Sequence, residues 1–223
     1  MAGEYRVGDR YWVPDPTEAW LIGTCTNNEG SNILFSTEAG GVYKLQKSAD
    51  KKPEPCGSGW DVSADNLVDL DELSEGSILH HTRKRFRKQI IYTLVGSILV
   101  AVNPFEKLNI YGPEDIQRAS RSINSTPYPH VFVTAANAYQ QLQANGRNQA
   151  VLISGESGAG KTETTKKVLT YLATVAPPVG TSKDGIGIET KILQSNPLLE
   201  VTLYTLYTLY TLYSDGDVPN KAH

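Results

Sequence analysis

The chain has 223 residues and a formal net charge of −3, with 39% hydrophobic and 20% charged residues. This composition is typical of a globular chain that forms one large domain or two small ones, and it excludes a disordered chain. A net charge this small gives no whole-protein attraction to nucleic acid or to an anionic membrane.

Cysteine usage and the N-terminal segment indicate a cytosolic protein. Cys25 and Cys56 stand in no CxxC or Cys/His pattern, so reduced thiols are expected. The segment MAGEYRVGDRYWV holds no apolar signal core, and no run approaches the ~18 apolar residues of a membrane helix. We therefore predict a cytoplasmic protein with no membrane span.

Short apolar runs separated by turn residues fill the first part of the chain. Strands are predicted for YRVGDRYWVPD, AWLIGTCTNNEG, SNILFSTEAGG and VYKLQK, with NNEG and EAGG as turns. Strands at this spacing favour a small antiparallel barrel or sandwich. The Lys-, Pro- and Gly-rich segment KSADKKPEPCGSG is the predicted linker, so residues 1–57 form the first predicted domain.

Charge is unevenly spread in the next segment. Six acids lie between Asp61 and Glu75, and five basic residues follow in RKRFRK, residues 83–88. No aromatic stacking platform or recognition motif accompanies the basic cluster, so a nucleic-acid patch is disfavoured. A solvated helix face that pairs with the acidic stretch is the preferred interpretation.

The middle of the chain alternates predicted helices and apolar strands. Ser74 with Ser77 predicts a helix start, and IIYTLVGSILVAVNPF predicts two buried strands hinged at Gly96-Ser97 and ended by Pro104. A helix is predicted for YPHVFVTAANAYQQLQAN, a short strand for QAVLIS and an amphipathic helix for TETTKKVLTYLATVA.

The segment GESGAGKT between the last strand and helix fits GxxxxGK[ST] at every fixed position. Glycines let the backbone bend so that N–H groups point at phosphate oxygens, and the helix N-terminus favours anions. Lys161 is expected to contact the β- and γ-phosphates, and the Thr162 hydroxyl to bind Mg²⁺. The alternative is a Gly-rich turn that happens to contain Lys-Thr. The predicted phosphate-binding residues are Gly155, Glu156, Ser157, Gly158, Ala159, Gly160, Lys161 and Thr162.

At this point the residues resemble a known family. GESGAGKTE with TTKKVLTYLA closely resembles the phosphate loop and following helix of the myosin motor domain. Three other segments match myosins in the same order: LHHTRKRFRKQIIYTLVGSILVAVNPFEKLNIY, YPHVFVTAANAY and ETKILQSNPLLE. The front segments RYWVPD and AWLIGTC are similar to the small N-terminal β-barrel of many myosins. The resemblance covers roughly residues 5–200.

The resemblance implies a fold class and a set of ligands. It implies an α/β P-loop NTPase core over residues 58–200, preceded by the small all-β barrel, with ATP and Mg²⁺ as cofactors. Carried over by motif, Asn103, Pro104 and Tyr111 would line the adenine pocket, with Lys107 nearby. From the residues alone, a plain loop after a buried strand would be preferred.

Several parts of a myosin motor have no counterpart in these residues. Both switch segments, the actin-binding cleft, the converter and the lever helix are missing from the 223 residues. We therefore expect a truncated, incomplete central sheet and no catalytic residue. Actin is a partner by family only, because its binding surface is absent, and light chains are not expected.

Three functions remain open. The chain is part of an actin-based motor that hydrolyses MgATP, a non-catalytic nucleotide binder or defective gene product, or a module whose N-terminal barrel binds a partner. For these 223 residues, nucleotide binding without turnover is favoured, because nothing positions a water or senses the γ-phosphate.

The segment Val201–Asp215 holds four consecutive copies of Thr-Leu-Tyr and begins where the resemblance to myosins ends. Its period of three matches neither the strand period of 2.0 nor the helix period of 3.6. High β-propensity without charge or proline makes it an aggregation hazard. We interpret residues 201–223 as a non-homologous tail, disordered or artefactual, and a tyrosine array for stacking or phosphorylation is the alternative.

Overall fold

The computed structural model describes residues 5–38, 40–122 and 128–176. They fall into two compact units: one holds residues up to Thr134 together with Gly155–Gly160, and the other holds Ala135–Ser154 together with residues from Lys161 onward. The Thr-Leu-Tyr repeat and the helix predicted for ETKILQSNPLLE lie outside the described residues.

The front of the chain forms a five-stranded antiparallel sheet, which confirms the predicted β-rich region. Its strands are β1 (Arg10–Asp15), β2 (Ala19–Asn27), β3 (Asn32–Thr37), β4 (Val42–Gln46) and β5 (Glu54–Pro55). They are arranged in the order β4-β3-β2-β1-β5. Within the described residues the sheet stays open rather than closing into the predicted barrel, because β5 is only two residues long and pairs with β1 alone.

Both faces of this sheet carry buried side chains along β1, β2 and β3, whereas β4 has none. The buried side chains on one face are those of Tyr11, Val13, Cys25, Ile33 and Phe35. The other face carries Trp12, Trp20 and Ile22, with Trp60 and Leu79 packed against them. Helix α1 (Glu75–Arg87) covers this second face, which explains why an alternating strand such as β1 has no solvent side over its central residues.

Gly76 is the closest point between α1 and the sheet. A Cβ atom added there would lie 2.5 Å from Cγ of Trp12 and 2.6 Å from its Cβ, and Trp12 is only 1% exposed. Real Cβ atoms do not approach so closely, so α1 or the indole would have to move. Packing against Trp12 therefore leaves room only for glycine at position 76.

We expect Gly76→Ala to destabilise the chain by about 1–3 kcal/mol, the usual cost of overpacking. The direction of the stability change is informative, because a Gly→Ala change in an exposed helix interior stabilises the helix by roughly 1 kcal/mol. Chemical denaturation followed by tryptophan fluorescence measures the effect, with Arg87→Ala on the exposed side of α1 as the control. A Gly76→Ala protein as stable as the parent would show that the helix–sheet contact is loose.

The predicted start of α1 is confirmed as a capping box. The Ser77 N–H donates to Oγ of Ser74 at 3.2 Å, and the Ser74 N–H donates to Oγ of Ser77 at 3.0 Å. Two of the helix N–H groups that lack intrahelical partners are satisfied in this way.

The basic cluster of α1 is only partly the solvated face that the sequence predicts. It does pair with the acidic stretch, since Lys84 binds Asp61 and an Arg85 guanidinium nitrogen lies 2.9 Å from Oδ1 of Asp65. Arg85, however, is only 3% exposed. Its charge is buried because the guanidinium fills a polar niche between the segment at residue 64 and the next strand.

That strand, β6 (Tyr92–Val95), forms an antiparallel hairpin with β7 (Ile98–Ala101), as predicted. Gly96 supplies the turn with φ of +61°. The predicted burial on both faces is wrong for β7, where Ile98 is 66% exposed. No third strand pairs with the hairpin in the described part of the chain, so one side of β7 stays uncovered.

Three further helices follow: α2 (Pro113–Ser122), α3 (Val131–Asn145) and α4 (Lys161–Val175). The last two confirm the predictions made from YPHVFVTAANAYQQLQAN and TETTKKVLTYLATVA. Gly146 ends α3 with φ of +61° and donates its N–H to the Leu142 carbonyl at 2.9 Å. None of the described helices is long and apolar enough to cross a membrane.

The strand predicted for QAVLIS is wrong for the described structure. Residues 149–154 adopt no regular secondary structure, and Leu152 is 93% exposed. An apolar run becomes a strand only when a neighbour pairs with its N–H and C=O groups, and no described strand does so here. The described sheets are antiparallel, so the parallel sheet of a P-loop NTPase core stays a prediction.

Candidate nucleotide-phosphate site

The segment Gly155–Gly160 forms a compact loop. The Ala159 N–H donates to the Glu156 carbonyl at 3.2 Å, which closes one turn. Gly158 and Gly160 have φ of +77° and +93°. Side chains strongly disfavour such angles, so glycine is required at both positions for this loop shape.

Helix α4 begins directly after the loop, at Lys161. Lys161 and Thr162 therefore occupy its first turn, with Lys161 half-buried and Thr162 exposed. The N-terminal turn of a 15-residue helix carries partial positive charge and N–H groups without intrahelical partners. Glycine-rich loops and helix N-termini each favour phosphate, and the two features are consecutive in this chain.

The first turns of α4 are stabilised by their own side chains. Oγ1 of Thr165 donates to the Lys161 carbonyl at 3.0 Å, and Nζ of Lys166 lies 2.7 Å from Oε1 of Glu163. The exposed Lys166–Glu163 pair itself contributes only a few tenths of a kcal/mol.

The predicted adenine-side residues occupy different environments. Asn103 contacts the glycine loop, since its Nδ2 donates to the Gly158 carbonyl at 2.7 Å. Its neighbour Pro104 is half-buried, and Lys107 is exposed. The chain turns at Phe105, which has φ of +54° and a ring that is 85% exposed.

Tyr111 belongs to an aromatic cluster behind that loop. Its hydroxyl is 2.9 Å from the hydroxyl of Tyr92, and its ring centroid lies 5.7 Å from His130 and 5.8 Å from Phe132. Burial raises the pKa of the Tyr111 phenol, so the group stays neutral. The ring is half-buried in this cluster, whereas Asn103 contacts the glycine loop through the Gly158 carbonyl.

His130 is a structural residue that the sequence reasoning did not single out. Its Nδ1 accepts the Phe132 N–H at 3.0 Å, so Nε2 carries the proton donated to the Ile110 carbonyl at 2.9 Å. Burial lowers the pKa of the imidazole, which keeps it neutral. His130 thereby links Ile110, in the predicted adenine-side segment, to the start of α3. A histidine near the start of a predicted helix was the available signal.

No group of three His, Cys, Asp or Glu side chains in the described ranges is arranged to hold a metal ion. A Mg²⁺ ion bound with a nucleotide needs no such cluster, because phosphate oxygens and water supply most of its ligands. Thr162 is exposed in the first turn of α4, and its hydroxyl is suited to be the one ligand that the protein supplies to Mg²⁺. Both cysteines are free thiols, and burial raises the pKa of Cys56 to about 12.

Comparison with known proteins gives the same family as the motifs. The sequence profile of the myosin head (motor domain) matches residues 64–202. The chain is 37% identical over 190 residues to the high molecular weight form of myosin-1 of Acanthamoeba castellanii, which covers 85% of this chain and 12% of the relative. It is 36% identical over 197 residues to unconventional myosin-Va of Rattus norvegicus, with 86% and 11% covered. Myosin-14 of Arabidopsis thaliana is 38% identical over 197 residues, with 87% and 13% covered.

These matches confirm the predicted recognition: the chain belongs to the myosin motor-domain family. It spans between 11% and 13% of the length of the three relatives just described. The domain boundaries at residues 57 and 200 and the roles of the individual site residues stay predictions.

Proposed function

We propose that the chain binds MgATP through Gly155–Thr162, as the phosphate-binding part of an actin-based motor. One observation carries the proposal: the GESGAGKT segment forms a loop with glycines at positive φ and leads directly into the first turn of α4. The family relationship supplies the nucleotide, because the motif alone indicates only phosphate.

Each residue of the segment has a distinct role in this proposal. Backbone N–H groups of the loop and of the first turn of α4 bind the phosphate oxygens. The Lys161 ammonium neutralises the β- and γ-phosphates, and the Thr162 hydroxyl completes the shell of Mg²⁺. Magnesium neutralises phosphate charge when it is bound, and the protein residues orient the triphosphate.

Binding without turnover is proposed for these 223 residues. Hydrolysis by a P-loop enzyme needs groups that position the attacking water, and the family supplies them from switch segments that are not among these residues. Actin is the proposed partner of the motor, with a cytoskeletal location in the cytoplasm. Neither light chains nor nucleic acid is proposed as a partner of this segment.

Titration with a fluorescent ATP analogue tests the proposal. Saturable binding that unlabelled ATP reverses is the expected result, and phosphate release should stay at the background level with and without actin filaments. Failure to bind the analogue in the presence of Mg²⁺ contradicts the proposal. Actin-stimulated phosphate release would instead show that the chain is a complete ATPase.

We expect Thr162→Ala to weaken MgATP binding by about tenfold, which corresponds to about 1.4 kcal/mol. The reason is the loss of a hydroxyl ligand of the ion, while the loop and Lys161 remain. Thr162→Ser keeps the hydroxyl and should bind as the parent does. The measurement is the same titration with Mg²⁺ and with a chelator. Equal losses for Thr162→Ala under both conditions would show that the hydroxyl does not act through the metal.

A further inference from the structure

We infer that Asn103 is a positioning residue for the phosphate loop and supports triphosphate binding whatever base the ligand carries. The inference rests on the proposed function, and it assigns Asn103 a role different from lining the adenine pocket. Its basis is a contact between two segments that lie 55 residues apart in the sequence.

The side-chain amide of Asn103 is used at both ends. Oδ1 accepts the Phe105 N–H at 2.9 Å, and Nδ2 donates to the Gly158 carbonyl at 2.7 Å. One partner is a donor and the other an acceptor, so the orientation of the amide is fixed by its hydrogen bonds. The first bond shapes the turn after Asn103, and the second binds that turn to the glycine loop.

The Gly158–Ala159 peptide group is held from two directions. Its carbonyl accepts from Asn103, and its N–H donates to the Glu156 carbonyl at 3.2 Å. A Cβ atom built on Gly160 would lie 3.7 Å from Cγ of Asn103, so the amide also covers this second glycine. Asn103 therefore contacts the loop at Gly158 and lies beside Gly160, which are two of the three loop glycines with positive φ.

Glycines are the residues with the most backbone freedom to lose, so they gain most from an external restraint. The restraint comes from the end of a hairpin, since Asn103 follows β7 by two residues and Val102 donates its N–H to the Ile91 carbonyl at 3.0 Å. A loop held in shape before the ligand arrives loses less entropy on binding. Removing the Nδ2 donor should therefore weaken every ligand that uses the loop.

The test compares Asn103→Ser with Asn109→Ser in the full chain. Serine at 103 keeps an oxygen for the Phe105 N–H and adds no charge, but it is too short to donate to Gly158. Asn109 is an exposed asparagine in the same segment and is the matched control. The probes are inorganic tripolyphosphate and ATP, each with Mg²⁺, measured by calorimetry.

We expect Asn103→Ser to weaken the binding of tripolyphosphate and of ATP by the same factor, about fivefold, as for the loss of one hydrogen bond. Amide hydrogen exchange in residues 155–160 of the ligand-free protein should quicken, while exchange in the N-terminal sheet stays the same. Asn109→Ser should change none of these quantities.

Two results overturn the inference. One is weaker ATP binding with unchanged tripolyphosphate binding, which would confine Asn103 to the adenine. The other is unchanged exchange in residues 155–160. If the parent chain binds neither ligand, the proposed function fails, and the exchange comparison still decides whether Asn103 holds the loop.

Discussion

Replacing Lys161 with alanine is expected to weaken ATP binding by at least about 100-fold. The ammonium is the one charged side chain that the motif aims at the β- and γ-phosphates, and a hydrogen bond to a charged group contributes up to about 3 kcal/mol. Backbone N–H groups and the helix N-terminus remain in the variant, but they carry only partial charges.

Titration of a fluorescent ATP analogue measures this loss, with Lys166→Ala as the matched control. Lys166 lies in the same helix and its removal changes the net charge equally, but its ammonium is paired with Glu163. The control should bind ATP as the parent does, apart from a small general charge effect. Similar affinities for the two variants would refute the assignment of Lys161, and with it the proposed site.

Local patterns were predicted well because neighbouring residues decide them. The helix start predicted from Ser74 and Ser77 depends on residues three apart, and the structure forms it as a capping box. The shape of the glycine loop likewise depends on Gly158 and Gly160 themselves, which are the residue type that positive φ requires. What such a loop binds depends on chemistry beyond its shape, so its ligand stays a proposal.

Contacts distant in sequence were not predictable in the same way. The bond from Asn103 to Gly158 joins residues whose approach depends on the path of the whole intervening chain. The burial of Arg85 is of the same kind, because RKRFRK is a typical exposed basic cluster by composition. The missing strand at residues 149–154 shows the opposite error, since an apolar run was assigned a structure that requires partners elsewhere.

Arg85 provides the second large expected effect: Arg85→Met should destabilise the chain by about 3 kcal/mol. The guanidinium donates to the Ala64 carbonyl at 2.8 Å and to the Tyr92 carbonyl at 2.9 Å. Methionine fills much of the space but leaves these acceptors without their donors, at roughly 1–3 kcal/mol for each buried group. The carboxylate of Asp65 adds little to the loss, because it is 65% exposed and regains water.

Denaturant unfolding of three variants separates the guanidinium geometry from its charge. Arg85→Lys keeps the positive charge but replaces the two separate donor nitrogens of the guanidinium with one ammonium, so its stability should lie between those of the parent and Arg85→Met. Arg87→Met makes the same change on the exposed side of α1 and should stay within about 0.5 kcal/mol of the parent. Equal stability of Arg85→Met and Arg87→Met would mean that the link between α1, the residue 64 segment and β6 does not stabilise the fold. A loss of stability confined to the position 85 variants would show that Arg85, alone among the two positions compared, connects α1 to the β6–β7 hairpin. That hairpin is the one that Asn103 follows.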